Sequence, residues 1–546
     1  MIREDLPSHQ HQAYAPGRFA APSGAFRNAG AGLWKFLSHA CTAKVLVGWP
    51  PEKSTRETAW LDGLRGVAAF LVMIYHLGLK FYPAWTYEAP FGALDLAPSE
   101  EQSEKIYLMD FWRLPILRFW MASGHTQVSV FFVLSGFVLS WGPLSALRKG
   151  EMEKFSRSLG SAVFRRWMRL YIPCFAIAFT ECLQAYFGLI KIGGVERMSF
   201  FAQVWDYLKA NARFANPFHI NRSGGWDTVH RYDWTMWTIP YEFAGSMLVF
   251  LTLLAVSRIR SYRKRTAVLC AVAVSALIMV EWNFWLFATG MLLSNYVINM
   301  GGFKELNKGR VSYILWSIIM LVGMLLGGLP SRSKYFTRPG YEWLSTITPD
   351  NDWKTIEEGA RFWWCWAGIF IVLSASHLPT VRNFFELSLM RYMGRISYML
   401  YLTHRIVLNL VGDPVAKVIY KLLGRKDFLN DTPSDNHVGH ALMSTLIYVI
   451  LVTVLVPLTC LVAHWCEVLV DAPSTRFARW VDDWFTKGGA EAQDEEKEMV
   501  SIGLSTSAEE RAQEIEERFA SQDDSDSHAE EAPLLAGDTG VIRSNV

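Results

Sequence analysis

An arginine and a histidine lie within the mostly apolar stretch Trp60–His76, WLDGLRGVAAFLVMIYH. The eleven residues from Arg65 to His76 make about 20° more than three full α-helical turns, so both side chains share one helix face, about 16 Å apart along the axis. Ionisable groups inside membrane helices are costly and usually face a bundle interior or a water-filled cavity. The spacing therefore favours a functional pair. The alternative is that Arg65 reaches lipid phosphates and that His76 is a satisfied interfacial histidine.

Two further ionisable residues lie in apolar stretches. Glu242 comes eight residues after the start of WTMWTIPYEFAGSMLVF, a depth of about 12 Å by helical rise, and His404 lies in GRISYMLYLTHR. A buried carboxylate must be paired or protonated, so His76 and Glu242 are candidates for an acid–base group in the outer half of the bilayer. The alternatives are a structural contact of Glu242 with an arginine or tryptophan, and a packing role for His404 bonded to a helix carbonyl.

Three arginines, Arg165, Arg166 and Arg169, occur within five positions of VFRRWMRLYIP. Such a cluster at the start of a helix suits a polyphosphate, whereas the alternative is ordinary anchoring of a helix at the cytoplasmic surface. A donor with a phosphate end in the cytosol and a reactive end in the bilayer would join this cluster to His76. Acyl-CoA fits that description.

The composition predicts the elements that must position these residues. Of the 546 residues, 51% are hydrophobic and only 19% charged, with 23 tryptophans, which is typical of a polytopic all-α membrane protein surrounded by lipid. The net charge of +2 gives no reason to expect a nucleic-acid partner. The seven cysteines show no CxxC pair or other ligand spacing, so no metal is expected.

Ten apolar runs are long enough to be predicted as membrane helices. They are Leu61–Phe81, Val128–Ala146, Leu170–Ile190, Trp234–Val256, Thr266–Trp282, Phe284–Asn299, Val311–Leu329, Phe362–Leu378, Ile396–Val411 and Ala441–Val470. The loops on one side, 147–169, 257–265, 300–310 and 379–395, are all basic. Basic loops are typical of the cytoplasmic side, so the pattern predicts cytoplasmic N- and C-termini.

Three segments are predicted. Residues 1–58 are a largely disordered cytoplasmic segment, 59–482 the transmembrane domain, and 483–546 an acidic, disordered cytoplasmic tail. The membrane in which the protein resides, plasma membrane or endomembrane, stays open.

Six blocks make the chain resemble the membrane-bound acyltransferase-3 family, in a fungal-type form. In order they are LDGLRGVAAFLVMIYH (61–76), VFFVLSGFVLS (130–140), FRRWMRLYIP (164–173), WTIPYEFAGS (237–246), GRISYMLYLTH (394–404) and VDAPSTRFARW (470–480). The resemblance implies ten membrane helices and acyl transfer from a CoA thioester to an acceptor hydroxyl or, less often, an amine.

The resemblance also implies residue roles. His76 inherits the catalytic role and Arg65 an orienting or donor-binding role, because they match the family's Arg–ten residues–His pattern. Arg165, Arg166 and Arg169 are expected near the CoA phosphates, and Glu242 at the catalytic site. The residues assigned to substrate binding are Trp237, Tyr241, Tyr398 and His404.

These inferences combine into an expected mechanism with acyl-CoA, most simply acetyl-CoA, as co-substrate and no permanently bound cofactor. Neutral His76 is the general base on a hydroxyl of a carbohydrate, lipid or small molecule, and Glu242 orients its imidazole. Transfer through an acyl-His76 intermediate is the competing form. The outer loops 82–127 and 191–233 are the candidates for shaping the acceptor site.

Two other function classes stay open at this level. A secondary transporter would use Arg65, His76 and Glu242 as a relay, but it predicts an internal repeat, and none is obvious between the two halves. A catalytically inactive membrane scaffold would tolerate the loss of His76.

Overall fold

The computed structural model describes residues 49, 56–81, 113–193, 195, 198–217, 229–306, 309–330, 340–424 and 437–486. Most of the predicted N-terminal segment 1–58 and of the predicted acidic tail 483–546 lies outside these residues, as does loop 82–112. Residues up to Thr475 form one compact unit, which contains every candidate site residue. The described part of the second unit, 476–486, is helical.

The described residues form helices and no strands, which agrees with the predicted all-α class. The α-helices are α1 Ala59–Phe81, α2 Phe119–Ala122, α3 Gly124–Lys149, α4 Met152–Tyr186, α5 Phe200–Phe214, α6 Thr238–Val256, α7 Tyr262–Ile278, α8 Trp282–Met300, α9 Arg310–Gly327, α10 Glu342–Ile347, α11 Ala360–His377, α12 Pro379–Phe385, α13 Ser388–Val407, α14 Asp413–Leu422 and α15 His437–Cys466. A 3₁₀ turn, Trp234–Trp237, leads into α6.

Within the described part of the chain, five helical segments are long and apolar enough to cross a membrane. They are Ala59–Phe81, Gly124–Lys149, Trp234–Val256, Arg310–Gly327 and Thr445–Thr486. A sixth is added if α11 and α12, which meet at an angle of 99°, are one broken span. The ten predicted spans therefore stay a prediction. The helices that fall short include α7, with only 17 residues, and α4 and α13, each of which carries several arginines.

Helix α1 lies between two hydrophobic clusters. Leu64, Ala68 and Leu71 pack into a cluster with α3, α6, α8 and α11. Val72 and Met73 pack into a second cluster with α4, α5 and α13. Two polar residues of α1, Arg65 and His76, contact the neighbouring helix α13.

Glycines bring α1 and α13 into backbone contact. A Cβ on Gly66 would lie 2.3 Å from the Gly394 nitrogen, and one on Gly394 would lie 2.4 Å from the Asp62 oxygen. Small residues at a helix interface permit this close approach in membrane proteins. The contact fixes the axial position of α13 relative to α1. It therefore also sets which side chains of the two helices face each other further along.

Candidate active site

His76 of α1 and His404 of α13 form a direct pair. The Nε2 atom of His404 lies 3.2 Å from Nδ1 of His76, and the ring centroids are 4.9 Å apart. His404 is fully buried, whereas His76 is partly exposed. The two histidines selected from the sequence therefore share one site, although 328 positions separate them.

The hydrogen-bond partners assign a tautomer to His404. Its Nδ1 lies 2.7 Å from the Tyr401 carbonyl oxygen and 3.2 Å from the Leu400 carbonyl oxygen. Carbonyl oxygens only accept, so Nδ1 of His404 carries the hydrogen, and Nε2 of the neutral ring presents a lone pair. The alternative foreseen for His404, a bond to a helix carbonyl, is thus present together with the contact to His76.

The same reasoning carries over to His76. Its Nδ1 lies 3.0 Å from the Val72 carbonyl oxygen and faces the His404 lone pair. Both neighbours accept, so Nδ1 of His76 is the donor, and the lone pair of the neutral ring lies on Nε2. No described residue hydrogen-bonds that Nε2 atom. The arrangement therefore presents one imidazole with an available proton-accepting nitrogen.

Aromatic side chains enclose the His76 ring. Tyr75 and Trp234 each lie edge-on to it, with centroids 5.5 Å away. The Tyr75 hydroxyl is 3.1 Å from Nε2 of His125, whose ring stacks on Trp364 at 4.3 Å. The aromatic walls restrict water around His76, a condition under which electrostatic interactions with a reacting group are stronger.

Glu242 contacts an arginine, which is the alternative foreseen for it, and a serine. It accepts hydrogen bonds from the Ser135 hydroxyl, at 2.6 Å, and from the Arg166 guanidinium. Arg166 also donates to the Ser246 hydroxyl, at 2.8 Å. Among the described residues no hydrogen bond joins Glu242 to His76, so these contacts give no support to the expectation that Glu242 orients the imidazole, and that role stays a prediction. The nitrogen that faces Nδ1 of His76 belongs to His404.

The three arginines of the cluster differ in whether their guanidinium groups already have partners. Arg166 is committed to Glu242, and Arg165 donates to the Ser161 carbonyl oxygen at 3.1 Å. Arg169 is exposed and forms no hydrogen bond or ion pair with any residue that the structure describes. Its electrostatic neighbours are the other two arginines, Arg65 and Asp471. A guanidinium in that position is available to an anionic ligand.

Arg65 links α1 to α13. Its Nε donates to the Ser397 hydroxyl at 3.1 Å, and Nη2 lies 3.4 Å from the Gly394 carbonyl oxygen. Nη2 is also 3.2 Å from a carboxylate oxygen of Asp62. The side chain is 43% exposed, so Arg65 is held in position and still has surface facing the arginine cluster.

The remaining predicted substrate residues do not contact His76 within the described part of the chain. Trp237 and Tyr241 pack edge-on to each other at 5.9 Å and against Trp282. The Tyr398 hydroxyl donates to the Leu170 carbonyl oxygen at 2.6 Å, which joins α13 to α4. The contacts of Tyr398 are those of a structural residue.

The sequence interpretation missed Asp233 and Arg405. Asp233 Oδ1 accepts from the Thr235 amide at 2.9 Å and from Arg405 at 3.0 Å. The Arg405 guanidinium lies 5.3 Å from the centre of the Trp234 ring. An aspartate two positions before a threonine at a helix start is a capping signal, but the partner on α13 could not be read from it.

A family model described as an acyltransferase domain matches residues 58–464. The chain belongs to the acyltransferase-3 family. This membership, together with its apolar helices, makes it a membrane acyltransferase, and so favours that prediction over a transporter or an inactive scaffold.

Fungal acyltransferases are among the relatives. The O-acetyltransferase PaAT-1 of Phomopsis amygdali is 27% identical over 459 residues, covering 78% of this chain and 85% of the relative. Acyltransferase R4 of Phoma sp. (strain ATCC 20986 / MF5453) is 24% identical, covering 65% of this chain and 83% of the relative. Acyltransferase clz18 of Cochliobolus lunatus is 21% identical, covering 69% and 88%. No solved structure gives a significant match.

Proposed function

We propose that this acyltransferase moves an acetyl group from acetyl-CoA to an acceptor hydroxyl, with His76 Nε2 as general base. The observation that carries the proposal is the chain of hydrogen bonds from the Tyr401 carbonyl through His404 to His76. The chain leaves a lone pair on His76 Nε2 in an aromatic site, the requirement for a general base. The name of one relative, an O-acetyltransferase, supports acetyl as the group and oxygen as the acceptor atom.

The reaction balances without another reactant. The acceptor O–H gives its proton to Nε2 of His76 as its oxygen attacks the thioester carbonyl carbon. When the tetrahedral intermediate collapses, the C–S bond breaks, and the imidazolium returns the proton to the CoA sulfur. His404 and the Val72 carbonyl accept from Nδ1 throughout, so they stabilise the imidazolium as the orienting group of a triad does.

The donor's phosphates would lie on the arginine cluster. Arg169 has an unused guanidinium, and Arg65 and Arg165 stand beside it. Arg166 has a different role in this proposal, because its charge is neutralised by Glu242. Glu242 thus holds α4 to α6 and keeps the cluster in place, and it takes no part in proton transfer.

The test compares wild type with His76→Ala in vesicles, with labelled acetyl-CoA and a cell extract as the source of acceptors. His377→Ala is the matched control, because His377 makes the same bond from Nδ1 to a helix carbonyl, Leu373, at 2.8 Å, outside this site. Loss of a general base is expected to slow transfer by about 10²–10⁴-fold, with His377→Ala unchanged. Equal transfer by wild type and His76→Ala would overturn the proposal.

The competing acyl-enzyme form has its own readout. If His76 is the nucleophile, label from acetyl-CoA remains on the protein in the absence of acceptor and is released by hydroxylamine. The proposed direct transfer predicts no such label on wild type.

A further inference from the structure

A cavity of about 640 Å³ shares Trp234 with the surroundings of the His76–His404 pair. Its wall includes Trp234 and Arg405, together with residues 192–193 and 229–232. The Trp234 side chain is 42% exposed, and its ring is also the edge-on neighbour of His76, at 5.5 Å. One indole therefore borders both the cavity and the proposed base. Pockets for small organic molecules typically have volumes of about 300–1,000 Å³.

Three contacts restrain Trp234 and the turn that carries it. Asp233 caps the turn that carries it by accepting from Thr235. The Tyr401 hydroxyl donates to the Thr235 carbonyl oxygen, and the Arg405 guanidinium lies over the ring. A ring fixed in this way is a preorganised surface for a ligand, because little side-chain freedom remains to be lost on binding.

The cations of the cavity wall are already paired. Arg405 lies 3.0 Å from Asp233 and 3.9 Å from Glu181. Arg231 lies 3.3 Å from Asp206. An anionic ligand would therefore compete with existing carboxylates, and nothing in the described wall offers it an unpaired positive charge.

The other residues that the structure describes in this wall are uncharged. Burial lowers the pKa of His230 to about 4, so this histidine is neutral at physiological pH. Ile192, Gly193 and Val229 add apolar surface, and the Tyr232 ring is buried. A half-exposed indole with apolar neighbours favours a ligand that has a flat or ring-shaped face.

We infer that this cavity binds the acceptor, and that the acceptor is a neutral alcohol whose ring or apolar face stacks on Trp234 while one hydroxyl reaches His76. The inference rests on the proposed function for the role of His76. It adds the entry site and the chemical class of the second substrate.

Binding is tested without turnover by protection of a cysteine. Val229→Cys is placed in the cavity wall in a His76→Ala, Cys41→Ser, Cys270→Ser background. This background removes the proposed base, the cysteine that is exposed among the described residues and the one cysteine outside them. The probes are phenyl β-glucoside, which is neutral, and phenyl β-glucuronide, which has nearly the same shape and carries a carboxylate. The measurement is the rate at which a hydrophilic maleimide labels the introduced thiol.

The glucoside is expected to slow the labelling of the introduced thiol about tenfold when present at ten times its Kd, and the glucuronide to leave it unchanged. Trp234→Ala should remove the protection, whereas Trp234→Phe retains a ring and should keep part of it. Trp343→Ala removes a 50% exposed tryptophan elsewhere and should have no effect. No protection by the glucoside, or equal protection by the glucuronide, overturns the inference. Because the background lacks His76, this result is independent of whether His76 is the base.

Kinetics provide a second readout. With glucoside as acceptor, Trp234→Ala should raise the acceptor KM about 10-fold or more, because the lost stacking contact contributes about 1.5 kcal/mol to binding. The KM for acetyl-CoA should stay within about twofold, because the donor site is at the arginine cluster. An equal rise of both KM values would show that Trp234 acts on the fold as a whole and would contradict its role as an acceptor surface.

Discussion

Gly66 and Gly394 touch backbone to backbone, ten residues before His76 on α1 and ten residues before His404 on α13. The two helices run parallel from this contact, since Arg65 meets Ser397 and His76 meets His404 further along. Ten residues of helix are about 15 Å. The glycine contact therefore sets the register in which the two histidines face each other, although it lies far from the reacting atoms.

We predict that Gly394→Ala and Gly66→Ala abolish most of the acyl transfer. Each new methyl group would lie under 2.5 Å from backbone atoms of the other helix, so the helices must separate or slide. Such overpacking typically costs about 1–3 kcal/mol of stability and displaces His404 from His76. The measurement is transfer rate and thermal midpoint for each variant.

Gly160→Ala is the control for the glycine contact. Gly160 lies in α4, and a Cβ there meets nothing within 4 Å. Alanine in an open helical position should stabilise the protein by about 0.5–1 kcal/mol and leave transfer unchanged. Normal transfer by both Gly66→Ala and Gly394→Ala would show that the helix register is not critical.

His404 is predicted to act through the position and proton of His76. His404→Ala removes the acceptor that faces Nδ1 of His76, so the imidazole can rotate and its tautomer is less well defined. We expect kcat to fall by about 10–100-fold, the usual cost of losing the group that orients a functional histidine. The KM values for both substrates should stay within about twofold, since His404 is buried behind His76.

The result for His404→Ala must be separated from misfolding. His404→Gln offers a side-chain amide of similar reach and should recover part of kcat, while the thermal midpoints of both variants are compared with wild type. A purely structural role for His404 predicts that activity follows the thermal midpoint, and that outcome would contradict a positioning role.

The spacing of Arg65 and His76 predicted correctly that both side chains share one face of α1, and both contact α13. Helix periodicity depends only on local geometry, so it can be read from the sequence. For Glu242, the sequence left a contact with an arginine open only as the alternative to an acid–base role, and it did not identify Arg166. Counting helical rise places Glu242 in the outer half of the membrane and Arg166 at its cytoplasmic surface, yet they are in contact. Helix tilt and the length of an arginine side chain are not part of that count.

The contacts made by Asp233 and Arg405 could not be predicted from the sequence for a similar reason. Arg405 follows His404 directly and reads locally as an ordinary positive charge at a helix end. Its partner Asp233 lies 172 positions away, and only the packing of the Trp234 turn against α13 brings them together. Local patterns identify which residues are unusual, whereas their partners depend on tertiary packing.

The arginines are predicted to separate into two classes. Arg169→Ala should raise the KM for acetyl-CoA about 10–100-fold, because it removes one charge-assisted hydrogen bond that contributes about 1.5–3 kcal/mol. The amount of folded protein should not change. Arg166→Ala should instead lower the yield of folded protein, because it leaves Glu242 without its cation in a poorly solvated position.

Arg157→Ala is the control for charge in the arginine experiment. Arg157 lies on the same helix and is 79% exposed and paired with Glu153, so its removal should alter the donor KM by less than about twofold. Donor affinity is followed by titration of acetyl-CoA at two salt concentrations. An unchanged donor KM in Arg169→Ala would remove Arg169 from the phosphate site.

The stability of the folded protein is predicted to fall in acid because of His230. Nε2 of His230 donates to Asn211 at 2.9 Å, and Nδ1 accepts from the Tyr232 amide at 3.2 Å, so the folded state requires the neutral ring. Burial lowers its pKa to about 4, against about 6.5 in an unfolded chain. Between these values the unfolded state binds a proton that the folded state does not, so the contribution of His230 is complete above pH 6.5 and falls as the pH drops towards 4. The loss is at most roughly 3 kcal/mol.

His230→Asn should flatten the fall in thermal midpoint between pH 6.5 and 4 relative to wild type. The exposed substitution Lys154→Gln is the control and should leave the slope unchanged; parallel slopes for wild type and His230→Asn would show that another group controls acid stability.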